Sequence, residues 1–507
     1  MQRPLRTDRH VAALLSSLWP GLGQLGLGAR RSALVLALPP LVLVVLVIVA
    51  VIGPDRVQHL AMLVNPDVIA VVLGIELALI AWRLLAVGDA LRRGNGPTRG
   101  RGAALTAVGL IFVLVPSVYA AYLTEIAREA ALNVFAPVSQ TYNPTPYTGS
   151  ARDDDFGAAP AASAQPTTPP PTGRFTVLIL GVDAGAGRSE ALSDTMIVAS
   201  LDPVAGAVSM ISVPRDIVDV PLADGRIFHP KLNSLISYVN AYPSKFPGAP
   251  SGEAVLSAAI GKLLNVHIDG WAEVDLAGFV HVIDAIGGVD VTVRNALCDP
   301  GYNEYGFHGF AINAGHYHLD GLGALAYARI RHSAGESDFT RAARQGDIII
   351  AARDRIVQGG FLNDPIGLIQ SLGQLGKTNL DPNVIVQYIG YATSIQRDHI
   401  YRQVIQYPLV HGAIADPRGS VLIPRMNLIQ ALAAEAFPPA GTLPTGMATI
   451  PDESTSTVKT TLPKLTCYAP PPTPTPTKAP TPTSAPPTTE PTQKPQPTPE
   501  PTPASTP

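Results

Sequence analysis

The chain has little charge and little cysteine. Of its 507 residues only 15% are Asp, Glu, Lys or Arg, and two are Cys. Two cysteines exclude a zinc-finger set and allow at most one disulfide. There is no cationic excess either: 36 Lys and Arg face 39 Asp and Glu, a net charge of −3, which argues against bulk nucleic-acid binding. Gly181, Gly185 and Gly187 make a glycine-rich loop, but no Gly-Lys-Ser/Thr follows, so it is not a nucleotide P-loop. No Gly-x-Ser-x-Gly elbow supports a serine hydrolase in the later part of the chain. Proline is plentiful, with 50 residues, and unevenly spread.

Three apolar stretches, Ala33–Ile52, Asp67–Val87 and Ala103–Tyr122, each approach the ~20 residues that a spanning helix needs. Their arginine flanks set an orientation. Arg3, Arg6, Arg9, Arg30 and Arg31 precede the first stretch, and Arg92, Arg93, Arg99 and Arg101 separate the second from the third. Only Arg56 lies between the first two. The positive-inside rule puts the N-terminus and the 88–102 loop in the cytoplasm and everything after residue 123 outside. Val11–Leu27 is also apolar but carries Pro20 and several glycines, and it reads as interfacial or re-entrant.

Residues 124–173 read as a stalk rich in Pro, Thr and Ala. Compact apolar strands and amphipathic segments run from Arg174 to about Phe437. A polar linker, 438–468, follows. The tail, 469–507, is built mostly of Pro and Thr, cannot bury a core, and is expected to be disordered and extended. Cys298 and Cys467 both fall on the outer side, where a bridge between them is expected; two unrelated free thiols are the alternative.

Arg174–Gly181, Thr195–Leu201 and Ala207–Val213 read as three strands, with a turn at Asp202–Gly206. As an antiparallel meander they bring Asp183, Asp194 and Arg215 to one sheet edge. Two carboxylates and an arginine there suit a metal–phosphate site; turn-capping aspartates beside a surface ion pair would look the same. Further on, Ser251–Leu264 and Leu276–Ile286 read as helices, and Ile268–Val274 and Val289–Val293 as strands, an α/β layered arrangement. Arg329 and Arg331 are two apart and share a side in extended chain. Asp338, Arg341 and Gln345 share one helix face, which an ordinary solvated Asp–Arg pair would also explain. Six cations, Arg215, Lys231, Arg329, Arg331, Arg341 and Arg344, against three acids, Asp183, Asp194 and Asp338, suit a polyphosphate-like ligand with a divalent cation.

The ordered motifs Gly-Val-Asp (181–183), Ser-Asp-Thr (193–195), Val-Pro-Arg-Asp (213–216), Lys-Leu-Asn (231–233), Gly-Gly-Val-Asp (287–290), Leu-Asp-Gly (319–321), Tyr-Ala-Arg-Ile-Arg (327–331) and Asp-Phe-Thr-Arg-Ala-Ala-Arg-Gln (338–345) resemble the LytR-CpsA-Psr family. The resemblance covers about 174–358, and more weakly reaches 437. It implies an α/β fold with a central mixed sheet flanked by helices at 174–358 and a helical extension packed on it at 359–437. It implies a phosphotransferase that moves a glycopolymer from a polyprenyl-pyrophosphate carrier to peptidoglycan, assisted by Mg²⁺ on Asp183 and Asp194. Arg215, Arg329 and Arg331 would grip the pyrophosphate, with Lys231, Asp338, Arg341, Arg344 and Gln345 in the same pocket. Many members carry Arg just before Ser-Asp-Thr; here Leu192 stands there, and Arg188 is the candidate replacement. A non-catalytic polyprenyl-lipid scaffold and a lipid pyrophosphatase remain as alternatives. The three-span block also exceeds the family's single anchor helix.

Overall fold

The computed structural model describes residues 8–53, 59, 62–95, 100–135, 156–158, 173–183, 192–360, 371 and 376–449. The linker beyond 449, Cys467 and the Pro/Thr tail lie outside the described residues, as does Arg188. Cys298 is disulfide-bonded, and the only other cysteine in the sequence is Cys467.

The N-terminal block is helical: α1 (Arg9–Leu18), α2 (Leu22–Gly26), α3 (Arg30–Ile52), α4 (Pro66–Arg93) and α5 (Arg101–Val134). The last three are long and apolar enough to cross a membrane. Helix α1, at 10 residues, is about 15 Å long and cannot. Val11–Leu27 therefore does not span; it breaks at Gly21, where φ is +100°. Its polar groups turn inward, and Gln24 bonds Ser16, the Ala86 carbonyl and Asp89 of α4. Helix α5 continues to Val134, so the start of the expected stalk is helix rather than linker. Phe156–Ala158 pairs with Arg226–Phe228. The far ends of α4 and α5 meet the following domain: Asn65 bonds Asn383, and Asn65 and Phe135 line a cavity of about 580 Å³ with Trp271 and Leu380.

The domain is built on a mixed seven-stranded sheet. Its strands are β1 (Phe175–Asp183), β2 (Leu192–Asp202), β3 (Ala207–Ser212), β4 (Gly270–Asp275), β5 (Gly376–Thr378), β6 (Ile400–Val404) and β7 (Ala448–Thr449). The spatial order is β5-β4-β1-β2-β3-β6-β7. The β1-β2-β3 meander is antiparallel, while β4 runs parallel to β1 and β6 parallel to β3. Alternation along β1 sends Leu178, Leu180 and Val182 to one face and Ile179 to the other. The first face is covered by α6 (Leu235–Ala241), α7 (Gly252–Leu264) and α12 (Met426–Ala436), the second by α10 (Asp338–Val357) and α11 (Pro382–Ser394). Helices α8 (Leu276–Ala285) and α9 (Gly321–Arg329) form a neighbouring core with a separate two-stranded sheet, Val289–Val293 with Gly315–Leu319.

Two expectations are corrected. Val289–Val293 does not join the central sheet. The segment after 358 is not purely helical: besides α11 and α12, which pack on the sheet, it supplies β5, β6 and, beyond 437, β7, with Ile400–Val404 covering the outer edge of β3. A hairpin, Val410–Asp416 with Gly419–Pro424, follows β6.

One packed polar group reports on this layering. Glu273 on β4 lies against Glu253 at the start of α7. Burial first, then the Glu253 carboxylate, pushes Glu273 up to about 7; Lys377 on β5 opposes this and Asp275 adds to it. The folded state thus holds a proton that the unfolded chain releases near 4.5. The resulting stability is complete below that value and is lost as pH rises through about 7. Glu273→Gln is expected to melt higher than the unmodified chain at pH 8 and at an equal temperature at pH 4. Equal melting differences at both pH values would contradict the shared proton.

Candidate active site

The site forms where β1 ends and β2 begins. Gly181 pairs with Thr195, but Val182 pairs with Ser193, so Asp194 is the extra residue of a β-bulge. Bulges re-aim side chains at sheet edges, and this one sets Asp194 beside the end of β1. Glycine at 181 is required by close approach, since a Cβ there would lie 2.8 Å from Thr195 Cβ.

Arg215 follows β3 and returns to the same edge, its Nη1 donating to Asp194 Oδ1 at 2.8 Å. Its loop is held from two sides. The amides of Leu232 and Asn233 donate to the carbonyls of Ile217 and Arg215, which docks the Lys-Leu-Asn segment, and the hairpin strand at Leu422 bonds Asp216 and Val218. Lys231 Nζ meets Asp216 Oδ1 at 2.6 Å, and Arg215 Nε lies 3.5 Å from Asp216 Oδ2.

Helix α10 supplies the opposite wall. Ser337 and Thr340 form a capping box, so the helix starts sharply and Asp338 falls in its first turn. Arg341 Nη2 lies 2.9 Å from Asp338 Oδ1. Asp338, Arg341 and Gln345 share a face and line one cleft with Asp194, Met196, Val213 and Arg215. The cleft holds about 10 Å³, room for a single water. Met196 and Val213 also belong to the apolar core under α6 and α7, so part of the cleft's lining is the edge of that core.

Arg329 arrives at the end of α9. Asp320 caps that helix, and Gly321 fits tightly, a Cβ there falling 2.3 Å from the Val280 carbonyl oxygen. Arg329 Nη2 lies 3.1 Å from Asp183 Oδ2 and 3.0 Å from Glu304 Oε2. Tyr327-Ala328-Arg329 is therefore the last turn of a helix, and the extended chain begins only at Ile330. Arg331 is exposed, with its amide bonded to buried Asp299.

Arg344 does something different from what the motif suggests. It is buried, its Nε donates to the Tyr327 carbonyl at 2.9 Å, its Nη2 bonds the Ile330 carbonyl, and its Nη1 bonds Glu336. It fastens the 327–331 segment to α10 rather than facing the cleft. His316 and His318 bond Thr292 and Asp290 across their strands. The sequence reading missed Glu304, Tyr302, Asp299 and Glu336, none of which lies in a motif; Asp216 was visible in Val-Pro-Arg-Asp.

Burial works against the charge on Arg215, but Asp194, Asp216 and Asp338 outweigh it and raise its pKa. Burial likewise opposes Arg329, and Asp183 with Glu304 outweighs it. Arg341 is the exception. Burial, then the neighbouring Arg215, lowers its pKa despite Asp338 and Asp194, and Arg331 pushes the same way. Arg341 thus sits where burial and a second guanidinium both work against its charge. Among the described residues no three His, Cys, Asp or Glu gather as metal ligands. Two hard carboxylates on adjacent strands, without thiolate or imidazole, fit a cation such as Mg²⁺ that completes its shell with water and phosphate oxygens.

The family model described as LytR_cpsA_psr matches residues 148–420. A polyisoprenyl-teichoic acid–peptidoglycan teichoic acid transferase, TagU, of Bacillus mycoides is 28% identical over 49% of this chain and 73% of its own. TagU of Oceanobacillus iheyensis is 30% identical over 43% of this chain and 64% of its own. The crystal structure of Bacillus subtilis TagV is 25% identical, covers 52% of this chain and 97% of its own, and gives a TM-score of 0.40.

An anion held by this cleft stabilises the fold by mass action, about 2.7 kcal/mol at a hundred times its Kd. Inorganic pyrophosphate is expected to raise the melting temperature of the unmodified chain. Arg341→Met is expected to melt no lower without pyrophosphate, since a like-charge contact is relieved, and to lose the rise. A rise of equal size in both would place the anion elsewhere.

Proposed function

This chain belongs to the LytR-CpsA-Psr family, and on that premise we propose that it is a membrane-anchored phosphotransferase moving a glycopolymer from a polyprenyl-diphosphate carrier to peptidoglycan. The observation that carries this reading is the continuity of the cleft: paired carboxylates and arginines at its mouth, and the apolar core reached through Met196 and Val213 at its floor. A diphosphate bearing an isoprenoid tail is a ligand with those two halves. The names of the TagU relatives point to the same substrate class. We place the domain outside the membrane, with the N-terminus and the 88–102 loop in the cytoplasm; the arginine distribution and the docking of Asn65 and Phe135 on the domain side support this.

Arg215, Arg329 and Arg331 bind the diphosphate oxygens as forked donors. Arg341 supplies the excess positive charge that the added phosphates neutralise. Lys231 acts through Asp216, orienting the Arg215 loop. Asp183 and Asp194 would hold Mg²⁺, which supplies charge neutralisation on the phosphoryl oxygens when bound. Arginines fixed by carboxylates and backbone need little reorganisation as charge shifts, and such preorganisation accounts for much of catalysis in phosphoryl transfer. The acceptor hydroxyl attacks the phosphorus next to the sugar, and polyprenyl phosphate leaves.

The test uses a polyprenyl-diphosphate-linked N-acetylglucosamine disaccharide as donor and soluble peptidoglycan strands as acceptor. Arg329→Ala and Asp183→Asn are each expected to lower transfer by at least about 10²-fold, the loss seen on removing one transition-state donor elsewhere. Donor binding without transfer in the unmodified chain would favour a scaffold. Release of sugar phosphate to water would favour a pyrophosphatase.

A further inference from the structure

The arginines account for the phosphates of the proposed donor, but not for the sugar joined to them. A pyranose has a face of C–H bonds and a rim of hydroxyls. An exposed, fixed aromatic ring with a polar edge suits both. Outside the membrane block, three Phe, Tyr or Trp side chains among the described residues are exposed: Tyr305 at 45%, Tyr391 at 48% and Tyr407 at 59%. Tyr391 lies on α11. The other two stand on the supports of the charged site. One exposed ring needs no explanation, but two at one site, each held in place, do.

Tyr407 lies between β6 and the hairpin that follows it. Its ring meets Phe339 edge to face, with centroids 5.5 Å apart and planes at 78°. Phe339 packs on the apolar core and follows Asp338, which lines the cleft. The hydroxyl end rests over the hairpin. A Cβ at Gly412 would collide with the Tyr407 hydroxyl, so glycine there leaves the ring its place. Gly412 pairs with Leu422, whose amide donates to the Asp216 carbonyl beside Arg215. Tyr407 is thus tied to the α10 wall and to the Arg215 loop while most of its surface faces solvent.

Tyr305 sits at the tip of a two-stranded finger, Leu297–Asp299 with Phe310–Ile312. Tyr302, Phe307 and Phe310 pack ring against ring in its middle, and the Gly309 amide donates to the Tyr302 carbonyl. At the tip the Phe307 amide closes onto the Glu304 carbonyl, with Tyr305 at φ +53° and Gly306 at φ +84°. Two consecutive positive φ values match a type I′ turn, whose central positions favour Gly, Asn and Asp. A tyrosine there is strained, and strain of this kind persists where the surroundings over-determine the backbone, with such places clustering at functional sites. The preceding residue, Glu304, lies 3.0 Å from Arg329.

The charged row between the two rings runs from Glu304 on Arg329, past Arg331, to Arg341 on Asp338. Tyr305 adjoins one end of that row, and Phe339 with Tyr407 adjoins the other. Resting on the reading above, we propose that Tyr305 and Tyr407 are saccharide-stacking residues that bracket the diphosphate site and take the pyranose rings carried by the donor. Each ring covers the C–H face of a sugar. Hydroxyls find polar partners in exposed Gln406, next to Tyr407, and exposed His332, next to Arg331. The stacking adds affinity for the sugar and leaves the hold on the phosphates unchanged. The strained backbone at Tyr305 is kept because the residues that would relieve it carry no aromatic ring.

The experiment measures binding of farnesyl diphosphate, of farnesyl-diphosphate-linked N-acetylglucosamine and of soluble peptidoglycan strands to the full-length chain. The unmodified chain is expected to bind the sugar-bearing lipid more tightly than the bare one. Tyr407→Ala and Tyr305→Asn are each expected to weaken the sugar-bearing lipid by at least about tenfold, the effect of truncating an aromatic anchor, and the bare lipid by less than about twofold. Tyr407→Phe, which keeps the ring, is expected to bind both as the unmodified chain does. Asn is at ease at positive φ, so Tyr305→Asn is expected to melt no lower, and a loss of sugar affinity is then not a loss of fold. Equal affinities of variant and unmodified chain for the sugar-bearing lipid, or equal losses for both lipids, would overturn the stacking role. Weakened binding of peptidoglycan strands in place of the sugar-bearing lipid would overturn the assignment to the donor and give the rings to the acceptor. Failure of the unmodified chain to bind farnesyl diphosphate at all would overturn the functional reading as well.

Discussion

Arg215 and Arg341 are held near one another with most of their water removed, and everything else at the sheet edge follows from the need to make that tolerable. Two guanidiniums in such a place repel; the carboxylates outweigh burial at Arg215 but not at Arg341, whose pKa is lowered first by burial and then by Arg215. Under the proposed function a bound diphosphate would complete the balance, and stability would then be coupled to occupancy.

Holding charges against their preference takes rigid supports, and these come from several parts of the chain. The bulge at Asp194 uses the sheet itself. The Arg215 loop is clamped by the Lys-Leu-Asn segment and by a hairpin some two hundred residues later. Arg344, although it sits inside a family-like motif, faces backbone carbonyls and keeps Arg329 and Arg331 in place. Such a buried arginine is expensive to desolvate unless its donors are satisfied, and here carbonyls and Glu336 satisfy them.

The membrane block and the domain meet at the ends of α4 and α5. On the proposed function that closeness would matter, since a domain on a long tether would meet a bilayer-anchored substrate less often. The short helices α1 and α2 bury small and polar residues against α4 and α5, which explains why this apolar N-terminal stretch does not form another long apolar helix.

Much of this was legible in the order of residues. Apolar runs of spanning length, arginine flanks, the alternation in Phe175–Gly181 and the turn at Asp202–Gly206 all reflect local rules, so the three long helices and the meander could be read directly. The meander in turn placed Asp183, Asp194 and Arg215 together. Other features depended on partners far away in sequence. Whether Val289–Val293 joined the main sheet, and whether the segment after 358 supplied strands, was decided by which edge remained uncovered. The role of Arg344 was decided by what stood opposite it, because an arginine looks the same in sequence whether it faces a carbonyl, a carboxylate or open solvent.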